Sequence, residues 1–331
     1  MTSKKLFQNL KIAVKNNVPV LITGQPGIGK SDIVAQLAKF CDYDIILSHP
    51  VIADPTDYKG LPAIINNTAV FLPIGDLNRL INADKPTICF FDDLGQAVPL
   101  TQSAIMQIIL ARQIGEHKVS DNVRFIMATN RAQDRASVHS ILEPLKNRCL
   151  IINVEFDIES WTDWALHNNI THEIIAFARF RPNLLSDWKP ANGMENTCTP
   201  RTISMCAQWY LNTKQAELDV FTGFIGEGAA VELISFLQVY NELPSRDEIL
   251  LNPDTARLPE KIASLYAIIG ALSSIASTSN FDRIMIYANR FPKDKIEFNV
   301  LLVKECIKKC PQINSTKTFI MWASDHKEVL I

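Results

Sequence analysis

The chain has 331 residues, room for two domains with sizeable cores. Apolar residues make up 47% and charged residues 21%, with a formal net charge of −2 and a pI near 6.3, so no basic tail is present to hold nucleic acid non-specifically. The seven cysteines are scattered without a partner pair at zinc-site spacing, and the longest apolar stretch, Leu265 to Ala276, is broken by serines and falls short of the ~18 residues of a membrane span.

These features, and an N-terminus (Met1-Thr2-Ser3-Lys4-Lys5-Leu6) without the apolar core of a signal peptide, set the expectation of a cytoplasmic protein with reduced thiols and no membrane contact. Leu6 to Val14 has apolar positions at helical spacing and leads into a buried run, Val18 to Thr23. A glycine-rich turn follows, then helical spacing from Asp32 to Ala38 and a second strand, Asp44 to Ser48. The next stretch differs in character: Asp54 to Pro62 is turn-rich, and Asn66-Asn67 sits between two β-rich runs as a hairpin turn. Helix near Asp76 to Asn82, strand Thr87 to Phe91, helix from Thr101 to Ala111, and strand Val123 to Ala128 come next. A tight turn is expected within Gln113 to Lys118, and a short helix near Pro144 to Arg148 precedes a last strand, Leu150 to Val154. Five apolar runs alternating with helices predict a doubly wound parallel five-stranded sheet. Beyond Asp157 the strands stop and helical patterns run at Ile158–His167, His172–Phe180, Arg201–Leu211, Gly228–Tyr240, Lys261–Ser274 and Phe298–Lys309, with Arg181 to Pro200 read as a long loop. The predicted division is therefore 1–156, an α/β domain with an inserted hairpin near 54–72, and 157–331, an all-helical domain with a C-terminal extension.

Gly24-Gln25-Pro26-Gly27-Ile28-Gly29-Lys30-Ser31 has the G-x-x-x-x-G-K-[ST] pattern between a strand and a helix, the context that pattern requires. Glycines let the backbone curl so that several N–H groups point at a polyphosphate, with the positive end of the helix behind them. The Lys30 ammonium can reach the β- and γ-phosphates, and the Ser31 hydroxyl can ligate Mg²⁺. With average residue usage the pattern arises by chance in about 1% of chains this long, and this chain is glycine-poor. Residues 24–32, through Asp32, are therefore the expected nucleotide-binding stretch. Asp92-Asp93 ends the third strand, where one carboxylate can hold the Mg²⁺ shell and its neighbour can polarise a water. Asn130 ends the next strand and would sit beside the γ-phosphate.

The phosphate loop, Phe90-Phe91-Asp92-Asp93-Leu94, Ala128-Thr129-Asn130-Arg131 and Leu145-Lys146-Asn147-Arg148, in that order, resemble an AAA+ ATPase. Asp54-Pro55-Thr56-Asp57-Tyr58-Lys59-Gly60-Leu61-Pro62 resembles the extra hairpin of the helix-2-insert group, and specifically its MoxR-like members. The stretches Gln107 to Glu116 and Asn130 to Ala136 are similar to the same group, and Thr199-Pro200-Arg201-Thr202 resembles the start of its lid helix. The resemblance implies ATP and Mg²⁺ as cofactors, held by Lys30, Ser31 and the metal-side acid Asp92. It implies Asp93 in the place of the catalytic glutamate, Asn130 as first sensor, Arg201 as second sensor, and Arg148 as an arginine finger acting on the neighbouring subunit's ATP. A ring follows from that last role. The implied function is ATP hydrolysis in a homo-oligomeric ring, a hexamer in this family, remodelling a client protein in a chaperone-like way. A partner with a von Willebrand factor A-type domain is common for the family.

One departure matters: Asp93 is one methylene shorter than the family's glutamate, which sets its carboxylate back by ~1.5 Å, and misplacement of that order costs about a hundredfold in rate. Two other readings therefore stay open: an ATP-gated scaffold with very slow hydrolysis, and a nucleic-acid-dependent motor subunit of the same superfamily. The six histidines (His49, His117, His139, His167, His172 and His326) show no metal spacing and are read as solvated or satisfied. Trp161, Trp164 and Phe177 are read as helical core, Gly223 to Gly228 as a helix start, and Lys59 with His117-Lys118 either as solvated turns or as residues facing a ring's pore.

Overall fold

The structure is a computed structural model describing residues 1–114, 117–131, 134, 140–189 and 193–326. The Gly115-Glu116 turn, Arg135, Ala136 and His139 lie outside the described residues. The chain divides into two compact units, the first comprising Met1–Ser160 with Trp188–Pro190 and Thr199–Arg201, the second Trp161–Asp187, Ala191–Cys198 and Thr202–Ile331.

In the first unit α1 (Ser3–Lys15) precedes β1 (Val20–Gly24), α2 (Lys30–Cys41) and β2 (Asp44–Ser48). A hairpin follows, β3 (Leu61–Ile65) and β4 (Thr68–Leu72), and then α3 (Gly75–Ile81), β5 (Thr87–Phe91) and α4 (Pro99–Ala111). A second hairpin, β6 (Gln113–Ile114) with β7 (His117–Lys118), leads to β8 (Val123–Thr129), α5 (Glu143–Lys146) and β9 (Leu150–Val154). The five long strands form one parallel sheet in the order β2-β5-β8-β1-β9. The predicted doubly wound sheet is present; its three central strands are buried on both faces, as interior parallel strands require, while the edge strands β2 and β9 are partly exposed. Alternate residues go to opposite faces. Val20, Ile22, Ile88, Phe90, Ile126 and Ala128 meet the apolar sides of α1 and α2. Leu21, Cys89, Phe91, Phe125 and Met127 meet α3 and α4. On α1 the buried positions are Leu6, Leu10, Ala13 and Val14, the i, i+4, i+7, i+8 stripe of an amphipathic helix, and the Thr2 hydroxyl accepts from Lys5 N–H at its start.

The inserted hairpin turns at Asn66 and Asn67, both with positive φ (48° and 62°), the left-handed pair of a two-residue turn. Its side chains are largely exposed on both faces: Ile64 (80% exposed) and Phe71 on one, Leu61, Ile65 and Leu72 on the other. Pro62 pairs with Phe71 in a position whose backbone groups face outward, so the free edge of β3 lacks a donor there. On the free edge of β4, the Phe71 carbonyl is 3.0 Å from Nε2 of His117.

The second unit has helices and connecting turns and no strand among its described residues. The chain continues with α6 (Ile158–His167), α7 (His172–Phe180), α8 (Asn183–Ser186), α9 (Pro200–Thr213), α10 (Leu218–Ile225) and α11 (Glu227–Asn241). It ends with α12 (Arg246–Leu251), α13 (Ile262–Ser274), α14 (Phe281–Ala288), α15 (Ile296–Lys309) and α16 (Lys317–Asp325). An aromatic chain runs from Phe177 to Phe236 (centroids 5.6 Å apart), Phe236 to Phe180 (5.7 Å), Phe180 to Tyr266 (6.0 Å) and Tyr266 to Phe298 (5.1 Å), tying α7, α11, α13 and α15 together. Between α7 and α15 lies a buried ion pair, Arg179 Nη2 to Glu305 Oε1 at 2.7 Å, and Lys308 bridges Glu305 to Asp163. Trp161 and Phe177 are core, as expected, whereas Trp164 is only half-buried. The expected loop from Arg181 to Pro200 contains the short α8, and Gly226 separates α10 from α11. No helix among the described residues is long and apolar enough to cross a membrane.

Candidate nucleotide site

A parallel sheet delivers the C-terminal ends of its strands to one edge, and on this edge the site residues gather. The phosphate loop leaves β1 at Gly24 and enters α2 through Gly29, which has φ 92° and caps the helix. At Gly27, φ is +73° and an added Cβ would stand 2.9 Å from Thr199 Oγ1 and 3.4 Å from Arg201 Cβ, so the turn needs glycine both for its backbone and for the close approach of Thr199 to Arg201. Gln25, Ile28 and Lys30 are buried in the turn, and Asp32 is exposed on the first turn of α2.

Lys30 reaches into the site and donates to Gly24 O (3.0 Å), Gln25 O (3.1 Å) and Asn130 Oδ1 (2.7 Å), which engages all three of its protons. Burial lowers its pKa to about 8, and the Arg201 charge pushes the same way, while Asp93, Asp92 and Asp134 oppose. At neutral pH the ammonium remains charged. Beside it the Ser31 hydroxyl donates to Asp92 Oδ2 at 2.5 Å, and the other Asp92 oxygen accepts from the Asp93 N–H at 3.0 Å. Asp92 is thus fixed at both oxygens, next to the hydroxyl expected to share its metal. Asp93 adopts a left-handed conformation, φ 54° and ψ 34°, which turns its half-buried side chain back toward the loop. Its carboxylate accepts from Asn130 Nδ2 at 3.3 Å. Burial, and then the neighbouring Asp92, raise the Asp93 pKa, against the charges of Lys30, Arg201 and His49.

The structure therefore brings Lys30, Ser31, Asp92, Asp93 and Asn130 into one hydrogen-bonded cluster, with the charge of Arg201 felt at both Lys30 and Asp93. It does not bring Arg148 there. Arg148 is exposed, with Nη1 3.3 Å from the Pro144 carbonyl, and it lies two residues before Leu150, whose partner Val20 begins the strand that Gly24 ends. Two contributors escaped the sequence reading. Asp134 is 3% exposed and takes a two-pronged bond from Arg131 (Nε 2.9 Å, Nη2 2.9 Å), placing a fixed charge near Lys30. His49, just past β2, adds a charge that is felt at Asp93. Its signal was its position after the strand adjacent to β5, since neighbouring C-terminal strand ends converge.

Residues 19–149 match the model of the AAA domain, dynein-related subfamily. This stretch is an AAA domain. Members of that family generally bind ATP with Mg²⁺ and hydrolyse it. Among solved structures, the Thermotoga maritima RuvB Holliday junction branch migration motor is similar at 15% identity over 76% of this chain and 75% of that one, with a TM-score of 0.42. A proline-to-glycine mutant of Thermotoga maritima RuvB gives 16% identity over 76% and 75%, with a TM-score of 0.39. No curated protein matches the sequence. The donor set of the AAA domain suits the expected ligands: a glycine cradle with no room for a Cβ and a buried lysine for the phosphates, and a hydroxyl beside an anchored carboxylate for Mg²⁺.

Proposed function

We propose that the chain is a MoxR-like, ring-forming ATPase that uses ATP to remodel a partner protein in a chaperone-like way. The observation that carries the reading is the continuous chain Lys30–Asn130–Asp93 beside Ser31–Asp92, which joins a phosphate-binding cation, a water-orienting amide and a base on one sheet edge. The loop N–H groups and Lys30 bind the β- and γ-phosphates, and Ser31 and Asp92 hold Mg²⁺. That ion supplies charge neutralisation on the phosphates. Asp93 takes the proton of the attacking water, Asn130 orients that water, and Arg201 adds positive charge from the same subunit. Arg148 serves the neighbouring subunit's site, which is supported by its place on the opposite sheet edge.

On this reading 1–156 is the nucleotide-binding domain and 157–331 the helical lid with its extension, working in the cytoplasm as a ring, a hexamer by resemblance. The client or adaptor is a protein, with a von Willebrand factor A-type partner the first candidate. Nucleotide binding and steady-state hydrolysis of Arg148→Ala test the scheme. The variant should keep ATP affinity and lose turnover; normal turnover, or full turnover by a strictly monomeric form, rules it out. A second reading, an ATP-gated scaffold, is favoured by one observation: the short Asp93 side chain is already committed to Asn130.

A further inference from the structure

Tyr58 links the insert to the strand that ends beside the nucleotide site. Tyr58 ends a 3₁₀ turn, Pro55–Tyr58, locked at its start by a reciprocal cap in which Asp54 accepts from Thr56 N–H and Asp57 accepts from Asp54 N–H, each at 2.9 Å. Its ring is buried against Phe91, centroids 6.1 Å apart, and Phe91 stacks on Phe125 at 6.3 Å. Its hydroxyl lies 2.9 Å from the Ser48 hydroxyl at the end of β2, and burial pushes it up to about 12, so it keeps its proton at any working pH. The Ser48 carbonyl in turn accepts from Asp92 N–H at 3.0 Å, one rung past the last strand pair, Ser48 with Phe91. The charge of His49, the next residue, is felt at Asp93. On the other side, two residues separate Tyr58 from β3. One is Gly60, at φ +90°, where an added Cβ would stand 2.6 Å from the Leu72 carbonyl at the end of β4. Both ends of the hairpin thus converge on the Tyr58 anchor.

We propose that Tyr58 is a positioning residue for the acid pair: its hydroxyl clamps Ser48, whose carbonyl fixes the backbone of Asp92, so that force on the β3–β4 hairpin is delivered to the carboxylates at the phosphate loop. The proposal rests on the reading of the site as an ATPase and says how a partner seated on the insert sets its rate. Asp92 and Asp93 need alignment only for turnover, so loosening the clamp acts on kcat and spares nucleotide affinity.

Tyr58→Phe and Ser48→Ala in the full chain remove the same bond from either side. Each should lower kcat about threefold to tenfold with KM within about twofold, and the double variant should be no slower than either single. Amide exchange gives the second readout. Mg-ATP should alter exchange at both 24–31 and 61–72 in the wild type, and in both variants the response at 61–72 should vanish while that at 24–31 stays. Additive losses in kcat, a hairpin response that survives both substitutions, or a wild-type hairpin indifferent to nucleotide while the loop is protected each overturn the clamp. A wild-type loop that Mg-ATP fails to protect overturns the ATPase reading itself, and the clamp with it.

Discussion

The composite-site reading makes a quantitative demand on Arg148. Val20 pairs with Leu150 and Gly24 with Val154, so β9 begins four residue positions before the level of Gly24, and Arg148 lies in the turn that precedes it. At ~3.3 Å per residue along a parallel strand those four positions span about 13 Å, whereas an extended arginine side chain spans only about 7 Å. On the composite-site reading Arg148 therefore acts on another copy's loop and not on its own. A finger of this kind is worth roughly 10³ to 10⁵ in rate, so Arg148→Ala should lose at least about a thousandfold in kcat with its nucleotide dissociation constant unchanged. Lys30→Ala, which lacks the cation at its own loop, should be equally inert. Mixed in equal amounts, with co-assembly verified by size exclusion, the two restore interfaces in which an Arg148→Ala site faces an intact Arg148. Random placement around a closed ring makes about a quarter of the interfaces competent. A phosphate-release assay should therefore recover about a quarter of wild-type activity from two dead preparations. A co-assembled mixture that stays inert, or an Arg148→Ala variant that turns over normally alone, refutes the reasoning.

The remaining expectations concern the loop, the base and the helical unit. Asp93→Glu extends the carboxylate by ~1.5 Å and should raise turnover, by up to about a hundredfold, with ATP affinity unchanged; equal or lower turnover in a coupled assay argues against a misaimed base and against the scaffold reading. Gly27→Ala forces a side chain into the left-handed region, at about 1–2 kcal/mol, and against Thr199 Oγ1, 2.9 Å away; fluorescent-nucleotide titration should show at least about a tenfold weaker affinity, and wild-type affinity would contradict the cradle. Burial, with help from Lys309 and Arg246 and against Glu173, lowers the His172 pKa below its ordinary 6.5. The folded state then binds fewer protons than the unfolded one, so stability from this group is full above pH 6.5 and is lost as pH falls through 6.5 toward the folded value. Melting temperatures of wild type and His172→Gln between pH 7.5 and 5 should diverge, with the wild type falling more steeply.

The sheet was legible because its three central strands, buried on both faces, read as apolar runs, with the edge strands Asp44–Ser48 and Leu150–Val154 apolar enough to follow, and because Gly24 to Ser31 needs only local sequence to be recognised. The helices α6 and α7 carry apolar periodicity and α13 is apolar along most of its length, and all three were found nearly to the residue. The helices α8, α10, α12 and α14, which were not found, have eight residues or fewer. Segments that short are not stable helices alone; packing on a neighbour decides them, and a linear pattern does not carry that information. Tyr287 and Phe281, which anchor α14, are fully buried in a cluster to which α12, α13, α15 and α16 all contribute. In the site, Lys30, Asp92 and Asn130 were readable because each ends or follows a strand. The Arg131–Asp134 pair, the approach of His49 to Asp93 and the seating of Tyr58 on Ser48 depend on loop paths that one-dimensional spacing does not fix.

The inserted hairpin has a further consequence for how this protein survives at high concentration. A ribbon with Ile64, Phe71 and Leu61 in water would ordinarily recruit another chain's backbone and grow into cross-β aggregates. Here Pro62 withholds a donor on one rim and His117 occupies the Phe71 carbonyl on the other, so neither rim is a ready template. Stickiness is confined to the flat sides, where shape and side-chain identity decide what adheres. A binder must therefore be selected by its own side chains, and a crowded solution of identical copies gains no ladder to climb.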